Sequence, residues 1–341
     1  MKLWKLEVIR GLAAVYVAIG HTIDGKLFIL RFGQEAVIVF FLISGFVIEY
    51  SHHNSHDKSF KNYFIKRLTR IYSVFLPMLI LAGAIAQPNL ADGVFWRTLV
   101  GNILMLQDFE AGKPNVIVPT LFASALWSLH YEWWFYMLYH PVCCRIRRNK
   151  QSLIVAIASI LSALIYIYFP YAAPRLFMYF AIWWVGVDLA RSYISNGIVR
   201  ACDIVSGGIS IALVSVILLW GAFSYHESGG ILKFGIHPIL ELRHFIAAGV
   251  TLVAALTWQR AKWIGFNLLK PAVVIAPISY SLYISHQPLL ANASYFGVLD
   301  NTIIEYALYL VILLAFCWFT ELKLYPAIRA VINKNTQNKN V

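Results

Sequence analysis

Charge is what this chain has least of. Asp, Glu, Lys and Arg make up 13% of its 341 residues, about half the share of an ordinary soluble domain. That shortage excludes a soluble globular enzyme of this length, because too few charged side chains remain to cover the surface. Cysteine is scarce as well. Cys143, Cys144, Cys202 and Cys317 show neither the paired spacing of a zinc site nor that of a redox motif, so they read as free thiols and no metal is expected. There is no internal repeat and no low-complexity stretch. A cleavable leader is not expected either. Met1 to Lys5 is basic and Val8 to Ile19 is mostly apolar, but Arg10 interrupts the run and no small-x-small site follows. The first segment therefore reads as a retained span.

What is present is apolar surface. Hydrophobic residues make up 60% of the chain, more than one core can absorb, so lipid must solvate much of the exterior. Ten segments approach the length of about 20 residues that crosses a bilayer core: 5–23, 34–50, 70–87, 126–143, 152–169, 175–190, 204–223, 240–258, 273–292 and 303–324. Segment 94–106 is apolar but short, bounded by Pro88 and the Gly112–Pro114 turn, and reads as interfacial or re-entrant. The expectation is an all-α, polytopic membrane helix bundle of about ten transmembrane helices. Residues 1–332 form its single domain, and 333–341 form a short polar tail.

The formal net charge is +12, but the basic residues sit between apolar spans rather than on one polar face. A nucleic-acid partner is therefore not expected. With the N-terminus in the cytoplasm, nineteen Lys and Arg fall on the cytoplasmic side and seven on the other. That bias follows the positive-inside pattern and puts both termini in the cytoplasm.

Ionisable residues within spans are functional candidates, because their burial in lipid is costly. They are Arg10, His21, Glu132, Asp188, Glu241, Arg243, His244, His286 and Glu305. Arg10 and His21 are eleven residues apart, which is about 16 Å and close to three full helical turns. They share one face. Snorkelling toward opposite interfaces is the alternative reading for these two. Glu132 lies at a depth that permits a pair with His21, in which the carboxylate would fix the imidazole tautomer for general-base work. A structural Arg partner is its alternative. Tyr283 and His286 are three apart and share a face; a hydrogen-bonded core histidine is the alternative for His286. Arg67 and Arg70 also share a face and suit a phosphate clamp, since guanidinium forks grip phosphate at two points, or else serve only as a topology signal. His52, His53 and His56 read as solvated loop residues.

Four stretches, in order along nearly the whole chain, resemble the membrane-bound acyltransferase 3 family. They are Arg10 and His21 with ten residues between; Phe40-Phe41-Leu42-Ile43-Ser44-Gly45-Phe46-Val47-Ile48 followed by Arg67-Leu68-Thr69-Arg70-Ile71; Leu126-Trp127-Ser128-Leu129-His130-Tyr131-Glu132-Trp133-Trp134-Phe135-Tyr136; and Ile278-Ser279-Tyr280-Ser281-Leu282-Tyr283-Ile284-Ser285-His286-Gln287-Pro288. Two departures stand out. Many members carry an acid two positions before the Phe-Phe pair, where this chain has Ile38, with Glu35 one turn earlier. Many also carry an esterase-like domain after the last span, and the chain is too short for one to be expected here.

The resemblance implies transfer of an acyl group, usually acetyl from acetyl-CoA, to a hydroxyl of a bacterial surface or secreted glycan. It implies no permanently bound cofactor and a place in the bacterial inner membrane. The acceptor would be a glycan or lipid-linked saccharide. His21 would be the base, Arg10 would support the donor, and Arg67 and Arg70 would hold the acyl-CoA phosphates. Glu132, Ser44, Tyr283 and His286 would complete the site. Trp96, Gln107, Asp108 and Glu110 in the 88–125 segment are candidates to face a sugar, or else ordinary interfacial residues. Two other classes stay open on the residues alone: a transporter or flippase without chemistry, and an acyltransferase for a cytoplasmic small molecule.

Overall fold

The computed structural model describes residues 3–23, 27–261, 264–294 and 302–337. Among them run twelve α-helices: α1 (Trp4–Thr22), α2 (Gly33–His53), α3 (Phe60–Ala86), α4 (Gly93–Ile103), α5 (Trp127–Arg145), α6 (Arg148–Tyr168), α7 (Ala172–Asn196), α8 (Val205–Glu227), α9 (Ile239–Ala261), α10 (Ser279–His286), α11 (Thr302–Phe319) and α12 (Tyr325–Gln337). The only extended pairing among the described residues is a two-residue parallel ladder, β1 (Gln107–Asp108) against β2 (Val118–Pro119). The all-α expectation holds.

Seven helical stretches are long and apolar enough to cross a membrane. The other three expected spans, carried by α1, α5 and α7, are helices too. They fall outside that group because of their polar side chains, several of which turn inward. On α7, Arg175 and Asp188 are buried along with Trp183 and Trp184. This helix is enclosed by α2, α5, α6 and α8, so it meets protein rather than lipid. The apolar excess appears instead on the outer helices, where Leu161 and Ile165 of α6, Val216 and Leu219 of α8 and Val250 and Val253 of α9 are exposed.

Helix α4 has 11 residues and rises about 16 Å, half of a bilayer core. It is not among the helices long and apolar enough to cross a membrane. The expected span 273–292 is broken into three parts. A 3-10 stretch, Ile264–Ile278, contains Pro271 and Pro277. It passes into α10 and then into a π-helical turn, Gln287–Ala291, with Pro288 at its start. Proline removes the N–H that a regular α-helix needs, and membrane helices tolerate this where neighbours satisfy the freed backbone groups. Here Arg10 Nη2 donates to the carbonyl of Ala276 (2.9 Å), and Ser279 Oγ donates to the same oxygen (2.8 Å).

The expected tail 333–341 is helical as far as Gln337; its last four residues, like Lys2, Lys26 and Lys262 of the topology count, lie outside the described residues. His52 and His53 close α2 rather than sit on a loop, and His52 packs edge-on against Tyr139 (ring centroids 5.6 Å).

The segment between α4 and α5 is held by buried charge. Lys113 Nζ lies 2.9 Å from Asp108 Oδ1, and Arg175 Nη2 lies 3.0 Å from Asp108 Oδ2. Tyr131 donates to the same carboxylate (2.6 Å). Lys113 also stands 3.8 Å over the Trp127 ring. Burial drives the Asp108 carboxyl upward, but Lys113 and Arg175 override it and hold it below the usual carboxylate range. Burial, opposed by Asp108, brings the Lys113 ammonium down to about 8. Gln107 and Asp108 are therefore core residues, and the expectation that they face a sugar is corrected. Glu110 and Trp96 are exposed.

Candidate functional site

A cavity of about 990 Å³ opens at the end of the bundle that carries the α2–α3 connection, and it runs inward between α1, α2, α3, α5, α10 and α12. The ionisable side chains on its wall are strongly biased. Arg10, Lys61, Lys66, Arg67, Arg70 and Arg329 line it, against Asp57 and Glu132. A pocket with that surplus attracts a polyanion.

Arg67 stacks over the rings of Tyr63 and Tyr136 at 5.6 and 5.8 Å. Its Nε is buried without a hydrogen-bond partner, as is Nε of Arg10. Both cations thus retain hydrogen-bonding capacity. Arg70 differs. It lies between the rings of Tyr280 and Tyr325 and pairs with the buried Glu321, which follows α11. The two arginines expected to form one clamp both line the cavity, but Arg70 already has a carboxylate.

The inner end of the cavity carries a hydroxyl and carboxylate cluster. Ser44 Oγ donates to Glu132 Oε1 (3.2 Å), stands 3.1 Å from the Tyr136 hydroxyl, and accepts the Trp183 indole N–H (3.2 Å). Tyr136 donates to the same Glu132 oxygen. Tyr136 is one turn beyond Glu132 on α5, a spacing legible in the sequence but not singled out there. Ser128 and Tyr283 complete this end, their hydroxyls 2.9 Å apart.

Beyond Tyr283 lies the histidine pair. The His286 ring is 6.2 Å from the Tyr283 ring and 5.2 Å from the His21 ring. Both Arg10 and His21 meet the broken 264–291 segment, one at Ala276 and the other at Gln287 and His286. The single face expected for them is therefore real. The expected His21–Glu132 hydrogen bond is not formed: the carboxylate is taken by Ser44 and Tyr136, while His21 Nδ1 meets Gln287 Nε2 at 3.2 Å. The amide of Gln287 is oriented by the Ala125 N–H, which donates to Oε1 (2.8 Å). It consequently presents its N–H to His21. His286 has the opposite arrangement. Its Nδ1 donates to the Leu282 carbonyl (3.2 Å), and its buried Nε2 has no partner. Gln287 was missed as a site residue; its place next to His286 was the available signal.

The remaining intramembrane charges are structural. Glu35 pairs with Arg243, away from the cavity, while Ile38 is core. The acid missing at position 38 is therefore not replaced by Glu35. Glu241 accepts from Tyr166 (2.6 Å), Asp188 from Ser152 (2.6 Å), and Glu305 from Tyr309. His244 lies between Tyr179 (2.5 Å) and Gln34 (3.1 Å). Among the described residues no group of three His, Cys, Asp or Glu is arranged to hold a metal ion.

A helical bundle with seven membrane-length helices holds a cation-lined cavity that reaches a buried polar cluster. Comparison with known proteins gives the class. Residues 3–322 match the acyltransferase 3 family, described as an acyltransferase domain, and the chain belongs to that family. A curated relative, acyltransferase MdmB of Streptomyces mycarofaciens, is 35% identical over 128 residues. That alignment covers 36% of this chain and 31% of the relative's length. No solved structure matches.

Proposed function

We propose that this protein is an integral membrane O-acyltransferase of the bacterial inner membrane. It would move an acetyl group from acetyl-CoA to a hydroxyl of a surface or secreted glycan, with both termini in the cytoplasm. One observation carries the reading: the cation-lined cavity opens on the basic end of the bundle and reaches inward to Arg10, Ser44 and Glu132. Coenzyme A is a cytoplasmic polyanion with a long thin arm. Arg67, with Arg70 beside it, suits its phosphates, and the arm then runs past Arg10 toward Tyr283.

The acceptor approaches His21, which is exposed at the opposite end of α1. Its hydroxyl oxygen attacks the thioester carbonyl carbon while the hydroxyl proton passes to the His21–His286 pair. The tetrahedral oxyanion is met by an N–H donor close to that pair, an interaction strongest where charge develops, while Arg10, about 16 Å from His21 along α1, keeps its unpartnered Nε–H for the arm of coenzyme A. Collapse breaks the C–S bond. The thiolate leaves with a proton returned from the imidazole pair, giving an ester and free coenzyme A thiol. Holding two substrates in line supplies part of the rate by itself.

The test is a reconstituted one. The protein in vesicles, given labelled acetyl-CoA on the basic face and a glycan extract on the other, should release thiol and label the glycan. In cells, loss of the gene should remove one acetyl from a glycan by mass spectrometry. Absence of both signals overturns the reading.

A further inference from the structure

The family match ends at residue 322, and α12 begins at Tyr325. This helix nevertheless forms part of the cavity wall, through Tyr325, Arg329 and Ile332. Those positions follow the i, i+4, i+7 pattern of one helical face. The helix is fixed there by the Arg70 cluster. Arg70 lies 5.2 Å from the Tyr325 ring and pairs with Glu321 in the π-helical turn just before α12. The same guanidinium thus joins α3, α10 and the start of α12.

Arg329 lies one turn beyond Tyr325 and is exposed. Among the described residues it has no carboxylate partner within ion-pair distance. It shares the wall with Lys61 and Lys66 of α3, so a phosphate there would meet charge from two helices. The direction of the ligand follows from the cavity itself. The thioester must reach the polar inner end near Ser44 and Glu132, so the phosphate-bearing nucleotide end must trail toward α12.

We infer that α12 is part of the donor site, with Arg329 as a binding residue for the nucleotide phosphates of coenzyme A. This rests on the acyl-CoA reading above. Such a contact is solvent-exposed, and exposed charge pairs contribute up to about 1 kcal/mol, which is about fivefold in affinity.

The experiment measures binding of coenzyme A and of adenosine 3′,5′-bisphosphate to the full-length protein in nanodiscs by calorimetry. Three variants are compared: Arg329→Ala, Arg329→Lys, and Lys334→Ala, the last on the same helix but outside the cavity wall. Arg329→Ala should weaken both ligands about fivefold. Arg329→Lys should recover part of that loss, and Lys334→Ala should match the parent protein. Two results overturn the inference and leave the donor reading intact: unchanged affinity in Arg329→Ala, or an equal loss in Lys334→Ala, which would mean general charge rather than a site. If the parent protein itself does not bind coenzyme A, the donor reading fails first.

Discussion

His21 and His286 lie with their rings 5.2 Å apart, yet their hydrogen bonds are opposite in sense. His21 Nδ1 receives the Gln287 amide N–H, whereas His286 donates from Nδ1 to Leu282 and keeps a buried Nε2 without a partner. Two imidazoles side by side, one accepting at Nδ1 and one with Nε2 open, are placed as the proposed transfer of the acceptor's proton requires.

Either histidine should therefore be needed. His21→Ala and His286→Ala should each lower kcat by about 10²-fold or more, the range of a general-base contribution, while the protein still inserts and binds coenzyme A. Gln287→Leu should cost less in kcat, since both imidazoles remain, but it should also lower stability, because it takes the acceptor from the Ala125 N–H as well as the donor from His21. Near-normal turnover in His21→Ala would remove the pair from the mechanism.

Arg67 and Arg70 should separate by phenotype although they are three residues apart. Arg67→Ala should raise KM for acetyl-CoA by about tenfold, because a hydrogen bond to a charged group contributes about 1.5 kcal/mol or more. Arg70→Ala should chiefly destabilise. It leaves Glu321 buried and unpaired, and breaking a buried pair costs about 3 to 5 kcal/mol. The double variant Arg70→Ala/Glu321→Gln should recover part of the lost thermal stability. Equal melting temperatures for Arg67→Ala and Arg70→Ala would contradict this division.

Acid should loosen the α4–α5 segment through Asp108. Its folded carboxyl is held below the ordinary range by Lys113 and Arg175, against its burial. The unfolded chain therefore takes up a proton first, at about pH 4. The stabilisation is complete above that pH and is withdrawn as the pH falls toward the folded value. Asp108→Asn should be less stable at neutral pH and show a shallower loss below pH 4. Thermal unfolding in detergent across that window checks it, and parallel curves for the two proteins would exclude the ion cluster as the cause.

Helices α2 and α7 cross with no room for a methyl group. A Cβ on Gly45 would come 2.0 Å from the Trp183 carbonyl oxygen, and one on Gly186 would come 2.0 Å from that of Leu42. Backbone atoms cannot yield as a side chain can. Gly45→Ala should cost at least the roughly 1 to 3 kcal/mol of core overpacking. It should also reduce turnover, because the Trp183 indole donates to Ser44 in the site. Full activity and stability in Gly45→Ala would show that the two helices can separate.

Much of this was written along the chain. Composition determined the lipid solvent, hydropathy located helices in all ten expected segments, and the helical period placed Arg10 and His21 on one face. Four ordered motifs determined the family. These signals are local or additive, so one dimension carries them. Partnership is not local. Nothing in the sequence said that Glu132 would bond Ser44 and Tyr136 instead of His21, or that Arg70 but not Arg67 would be neutralised, by a carboxylate after α11. Nor did it say that Asp108 would face Lys113 and Arg175 rather than a sugar. Each outcome depends on which helices touch. That is decided by close packing at sites such as Gly45 against Trp183, by prolines that break the 264–291 segment, and by the need of every buried charge to find a counter-charge or a hydrogen bond.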